Sequence, residues 1–150
     1  MPASTHHIEE SVSIARPPAE VWTAIADYAL DLQWRRGITE MTPDPPGPPA
    51  PGTRVHEVLK MAGLSFATDS AVSEVDPGVS YRFAGSGTSG DIRGSRTVRA
   101  NQGGAGSVFT YQIELDPKGV TRALGPLLVP ILRSSLRKDL NRLKALLEKA

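Results

Sequence analysis

Two charges stand where alternation calls for apolar side chains. In "TRVHEVLKM" (53–61), Val55, Glu57, Leu59 and Met61 share one face of an alternating segment, while Arg54, His56, Val58 and Lys60 share the other. The first set is the inward one, which puts the Glu57 carboxylate among hydrocarbon. In "IRGSRTV" (92–98), Ile92, Gly94, Arg96 and Val98 form the more apolar set and carry Arg96 inward. Two phenols join them: Tyr81 beside Phe83 in "VSYRF", and Tyr111 beside Phe109 and Ile113 in "SVFTYQIEL". A buried charge needs a partner, so Glu57 and Arg96 pair directly, through water or through a ligand. One chemistry open to this set is catalytic: Arg96 and the tyrosines hold a ligand's carbonyls or carboxylate, and Glu57 donates or accepts a proton. The other is architectural, an ion pair near a rim with tyrosines as wall.

Other chemistries find little support. The 150 residues include no cysteine, which excludes disulfides and thiolate nucleophiles. His6 and His7 are strand neighbours and point to opposite faces, and His56 is the only other histidine, so no metal site and no cofactor are expected. The net charge of +1 offers no basis for a nucleic-acid partner. From Arg133 to Lys149 there are six basic and two acidic residues, which a solvated helix face explains. "MPASTHHIEE" at the start has neither a basic cluster nor an apolar run, and "LGPLLVPIL" (124–132) is far shorter than the roughly 20 residues of a membrane span. A cytoplasmic protein without stable membrane insertion is expected; the oligomeric state is left open.

These residues need elements to position them. "HIEESVSIA" (7–15) alternates as a strand. Arg16 and Pro17 each precede a proline and leave helical angles, Pro18 starts a helix, and Val21, Trp22, Ile25 and Tyr28 recur at helical spacing. Asp27 braces the next turn, a short helix over Ala29 to Arg35 follows, and Gly37 ends it. "TPDPPGPPAPG" (42–52) holds six prolines in eleven residues and reads as an extended surface loop inserted in a single domain spanning 1–150. From Thr53, strand signals alternate with turns at Gly63, Asp76-Pro77-Gly78, 85–91 and 101–106, the pattern of an antiparallel meander. After "DPKG" (116–119) the period becomes helical. Leu124, Leu128, Ile131, Leu136, Leu140, Leu143 and Leu147 mark an apolar stripe on a helix of about 25 residues, kinked at Pro130. A helix with one apolar stripe lies on a curved sheet, and ligand cavities form between two such layers.

In this order the chain resembles the START-like, helix-grip superfamily known as SRPBCC, and its polyketide cyclase/dehydrase branch in particular. The resemblance rests on "VSIARPP", Pro18, Val21-Trp22, Asp27 and Trp34, then "PGTRVHEV" (51–58), "VSEVDPGVSYRF" (72–83) and "LNRLKALLE" (140–148). It implies an α+β fold: a curved seven-stranded antiparallel sheet wrapped around a long C-terminal helix, with two short helices after the first strand. Members bind lipids, sterols, polyketides, hormones or quinones; some cyclise polyketides, and others act in stress responses or toxin–antitoxin systems. Fold does not choose among these. The leading expectation is enclosure of a small hydrophobic molecule such as a lipid, an isoprenoid or a polyketide. A polyketide aromatase/cyclase or dehydrase using Glu57 and Arg96 is the alternative, and a protein-interaction module acting through the basic helix and the proline-rich loop is a third. The expected cavity lining from the strands is Val55, Leu59, Tyr81, Phe83, Phe109 and Tyr111. Trp34, Leu128 and Ile131 are expected to complete it from the helices.

Overall fold

The computed structural model describes residues 5–101 and 103–149. Strand β1 (His6–Ile14) ends at the paired prolines. Pro18 then opens helix α1 (Pro18–Ala26), with Glu20 in its positive first turn. A 3₁₀ helix (Tyr28–Gln33) follows. Strands β2 (Ile38–Asp44), β3 (Arg54–Met61), β4 (Leu64–Asp76), β5 (Ser80–Gly87), β6 (Gly90–Ala100) and β7 (Ser107–Pro117) come next, and then helix α2 (Val120–Lys149). All neighbouring strands pair antiparallel in the order β1-β7-β6-β5-β4-β3-β2. The sheet grips α2, whose Leu136, Leu140 and Leu143 are buried in one core with Ile8, Val72, Val98 and Phe109.

Three elements depart from the sequence reading. Strand β2 has no clear signature because a bulge between Ile38 and Glu40 sets its buried Ile38 and Met41 three residues apart, which disguises the period of two. The proline-rich stretch expected to be loop over 42–52 begins inside the sheet: Thr42 pairs with His56, Pro43 with Val55 and Asp44 with Arg54. Proline is tolerated there because β2 is an edge strand. Helix α2 is longer than expected, at 30 residues, and continues through Pro126 and Pro130.

Ile131 corrects the apolar stripe. It is 42% exposed, as is Leu127 at 69%, on the outward face of α2. Ile131 lies three residues after Leu128 and five before Leu136, so it rotates off the buried line. Leu132, four from each, packs against the core instead.

Two details of the strands shape the interior. The β3–β4 hairpin turns on Ala62 and Gly63, both with positive φ (54° and 79°), the two-residue geometry that matches strand twist. Gly94 on β6 has no room for a side chain: a Cβ there would lie 2.6 Å from Phe83 Cζ and would press on the Gln112 carbonyl.

Candidate functional site

The site is delivered by the 3₁₀ helix. Asp27 Oδ1 accepts a hydrogen bond from Ala29 N (3.0 Å), so the brace read from the sequence starts this element. One side of it carries Tyr28 and Asp31 into the core, and Arg35 follows one turn later. Asp31 and Arg96 are both 0% exposed and form a two-pronged ion pair: Arg96 Nη1 donates to Asp31 Oδ1 (2.9 Å) and Nη2 to Asp31 Oδ2. The same guanidinium donates to the Ile25 carbonyl (2.9 Å) and the Tyr111 hydroxyl (3.3 Å). Its carbon lies 4.7, 5.3 and 4.6 Å from the ring centres of Tyr28, Trp34 and Tyr111. Burial alone would lower the pKa of Arg96, but Asp31 and the neighbouring phenols outweigh it and hold the group firmly charged.

From this pair the charges alternate outward. Arg35 Nη1 donates to Asp31 Oδ2 (3.2 Å) and to Glu57 Oε1 (2.9 Å), so the order is Arg96, Asp31, Arg35, Glu57. Arg35 is buried and its pKa is also raised: the cost of burial is overcome by Glu57 first, then Tyr111 and Asp31. Glu57 is the outermost member, its side chain 21% exposed. Burial pushes the Tyr28 and Tyr81 phenols up, so both stay protonated. Three buried nitrogens have no hydrogen-bond partner among the described residues: Trp34 Nε1, Arg35 Nε and Arg96 Nε.

Between the sheet and α2 lies a cavity of about 80 Å3. Its body is hydrocarbon, including Val55, Leu59, Phe66, Phe83, Ile113 and Leu128, and Val129 and Leu132 close it from α2. Arg35 and Glu57 join on this wall, Tyr28 and Tyr111 line it beside them, and Thr68, Ser70 and Ser89 add hydroxyl-bearing residues to the lining. Of the residues expected from sequence, the structure brings together Val55, Glu57, Leu59, Phe83, Tyr111 and Leu128 on this wall.

The others lie elsewhere. Arg96 points inward as read, yet it sits behind the wall with Asp31 and does not meet Glu57. Trp34 is core: it packs edge-on against Phe109 (6.2 Å), and its carbonyl accepts from Arg142 Nη1 (2.9 Å). Phe109 is wholly buried in the same core. Tyr81 donates to the Ile25 carbonyl (3.1 Å) and stacks edge-on with Trp22 and Tyr28, which holds it away from the cavity. Ile131 faces outward.

Sequence reasoning missed Tyr28, Asp31 and Arg35. A signal existed in "DLQWR": two opposite charges four residues apart around a tryptophan, in a segment otherwise read as packing.

Strand order and the gripped helix define the helix-grip fold. The chain belongs to the polyketide cyclase/dehydrase and lipid transport family, which matches residues 5–148. Among solved structures it is similar to the Zhui aromatase/cyclase from Streptomyces sp. R1128, with 14% identity over 97% of this chain and 95% of that one, at a TM-score of 0.82. It is also similar to TTHA0849 from Thermus thermophilus (14% identity, 95% and 97% covered, TM-score 0.80). A third is the di-domain aromatase/cyclase StfQ of the steffimycin biosynthetic pathway (13% identity, 97% of this chain and 51% of that one, TM-score 0.75). At such identities the likeness is one of fold. No curated protein matches the chain. Among the described residues, no helix is long and apolar enough to cross a membrane.

Proposed function

We propose that the protein encloses one small hydrophobic molecule between its sheet and α2, with the oxygen-bearing end of that molecule at Arg35, Glu57 and Tyr111. The observation that carries this reading is the cavity itself, lined mainly by hydrocarbon with the Arg35–Glu57 pair on its wall. Apolar burial supplies affinity at about 25 cal/mol per Å2, and the pair fixes orientation. A volume of about 80 Å3 is room for several waters, each needing ~10–15 Å3. A lipid- or polyketide-sized body therefore requires the walls to part. Native mass spectrometry of protein purified from its own host tests the reading: a single co-purifying hydrophobe supports it, and protein that is empty and takes up no hydrophobe from a mixed lipid and polyketide extract removes it.

A second reading is favoured by the Arg35–Glu57 contact at the cavity wall (2.9 Å). In a cyclase or dehydrase acting on a poly-β-ketone, Arg35 would stabilise an enolate oxygen and Glu57 would carry the proton. The family and the aromatase/cyclases of like fold support this reading. Glu57→Gln is then expected to lower turnover by about 10²–10⁴-fold with substrate binding retained. An unchanged product distribution would remove Glu57 from the chemistry.

A further inference from the structure

We infer that the polar part of the cavity wall is built for a neutral, carbonyl-bearing hydrophobe and rejects free carboxylates, and that Glu57 is the residue setting this preference. The inference rests on the cavity-binding reading above. Among the described residues Arg35 is the one cation on the cavity wall, and its charge is already matched. Asp31 takes Nη1 from behind at 3.2 Å and Glu57 takes it from the cavity side at 2.9 Å. Arg96 and Asp31 balance each other behind the wall, so the four groups carry no net charge.

An incoming carboxylate meets the Glu57 carboxylate before any unmatched cation, in a setting too apolar to screen the repulsion. It would have to displace Glu57 from Arg35 and leave that carboxylate unpaired against hydrocarbon. A ketone oxygen needs neither. Both hydrogen bonds that Arg35 makes among the described residues leave from Nη1, which leaves Nη2 as an uncommitted donor on a residue of the wall. Tyr111 also lines the wall, with its hydroxyl accepting from Arg96 Nη2 behind it (3.3 Å). Glu57 uses one carboxylate oxygen for Arg35, which leaves the other to accept from an enol or hydroxyl on the ligand.

The test compares a medium-chain methyl ketone with the fatty acid of equal chain length, titrated calorimetrically at mildly alkaline pH into wild type and Glu57→Gln. The glutamine keeps an acceptor for Arg35 and removes the charge. Wild type is expected to bind the ketone at least about tenfold more tightly than the carboxylate, the effect of one pK unit of like-charge repulsion. Glu57→Gln is expected to raise carboxylate affinity by about tenfold or more relative to the ketone. Equal binding of the two probes by wild type, or carboxylate affinity unmoved by Glu57→Gln, overturns the inference and leaves the cavity reading standing. Binding of neither probe overturns the inference, and the cavity reading falls with it where the mixed extract also yields no bound hydrophobe. The wild-type preference is decisive by itself, so the proposal stays open to refutation even where Glu57→Gln fails to fold.

Discussion

Asp31 serves two guanidinium groups, Arg96 through both carboxylate oxygens and Arg35 through one. Asp31→Ala strands Arg96 in the buried interior and leaves Arg35 with Glu57 alone, and is expected to cost about 3–5 kcal/mol in urea unfolding. Adding Arg96→Met should recover part of that loss, because the variant then buries one uncompensated cation fewer; strictly additive losses would show that the pair is not coupled. His56 makes a milder claim on the outer face. Its hydrogen bond to Asp69 (2.8 Å) raises its pKa above 6.5. A folded pKa above the unfolded value stabilises fully below pH 6.5, and the gain is lost as pH rises through the folded pKa. The pair is exposed, so the effect is small. His56→Gln should narrow its stability gap from wild type as thermal unfolding is moved from acid to alkaline pH; a gap independent of pH would show that the pair does not act. At this scale the sequence discloses direction and not partnership. Strand parity places Glu57 and Arg96 inward, since the period of two fixes the face a side chain takes. It is silent on Asp31 and Arg35, which arrive from a 3₁₀ helix and the turn after it, whose orientation depends on tertiary packing.

Among the elements, α2 is the uneven one. The part that walls the cavity, Gly125 to Leu132, contains one glycine and both internal prolines, each of which weakens helix or removes a backbone hydrogen bond. The part that follows, around Leu136, Leu140 and Leu143, is fully packed. Amide exchange is therefore expected to be faster over 122–132 than over 136–147, and a bound hydrophobe should slow the first segment selectively; uniform protection would argue against wall movement there. Gly94 illustrates the opposite constraint. Gly94→Ala forces a methyl group against the Phe83 ring and the Gln112 carbonyl, and is expected to destabilise by about 1–3 kcal/mol and to lower ligand affinity through Phe83. The sheet is legible in the sequence wherever alternation runs undisturbed, as along β7. It fades at β2, where one bulged residue breaks the count and prolines suggest a loop. The stripe on α2 is legible at Leu136, Leu140 and Leu143, and fails at Ile131, where leucine-like composition on both faces hides the turn of the helix.

For the whole molecule, ligand uptake should appear as stability. A hydrophobe present at about 100 times its Kd adds ~2.7 kcal/mol, and for a chain of this size that raises Tm by roughly 5–10 °C. An unchanged Tm at saturating ligand would mean that the molecule binds the folded protein no better than the unfolded chain. The two borders of the sheet have a further consequence. Along β1, α2 reaches over the free backbone: Arg133 donates to the His7 carbonyl (3.4 Å), Lys144 to the Ser13 carbonyl (2.6 Å), and Glu148 accepts from Ala15 N (2.7 Å). Along β2, Pro43 interrupts the other border, and Pro45 and Pro46 follow immediately. A foreign strand thus finds no regular ladder to extend at either margin. The contacts guarding β1 all lie beyond Leu132, outside the proline-bearing segment that walls the cavity. On the proposed reading, that segment gives way to admit a guest while the guarded margin is expected to remain shut, so that opening the interior would not turn the molecule into a seed for polymer growth.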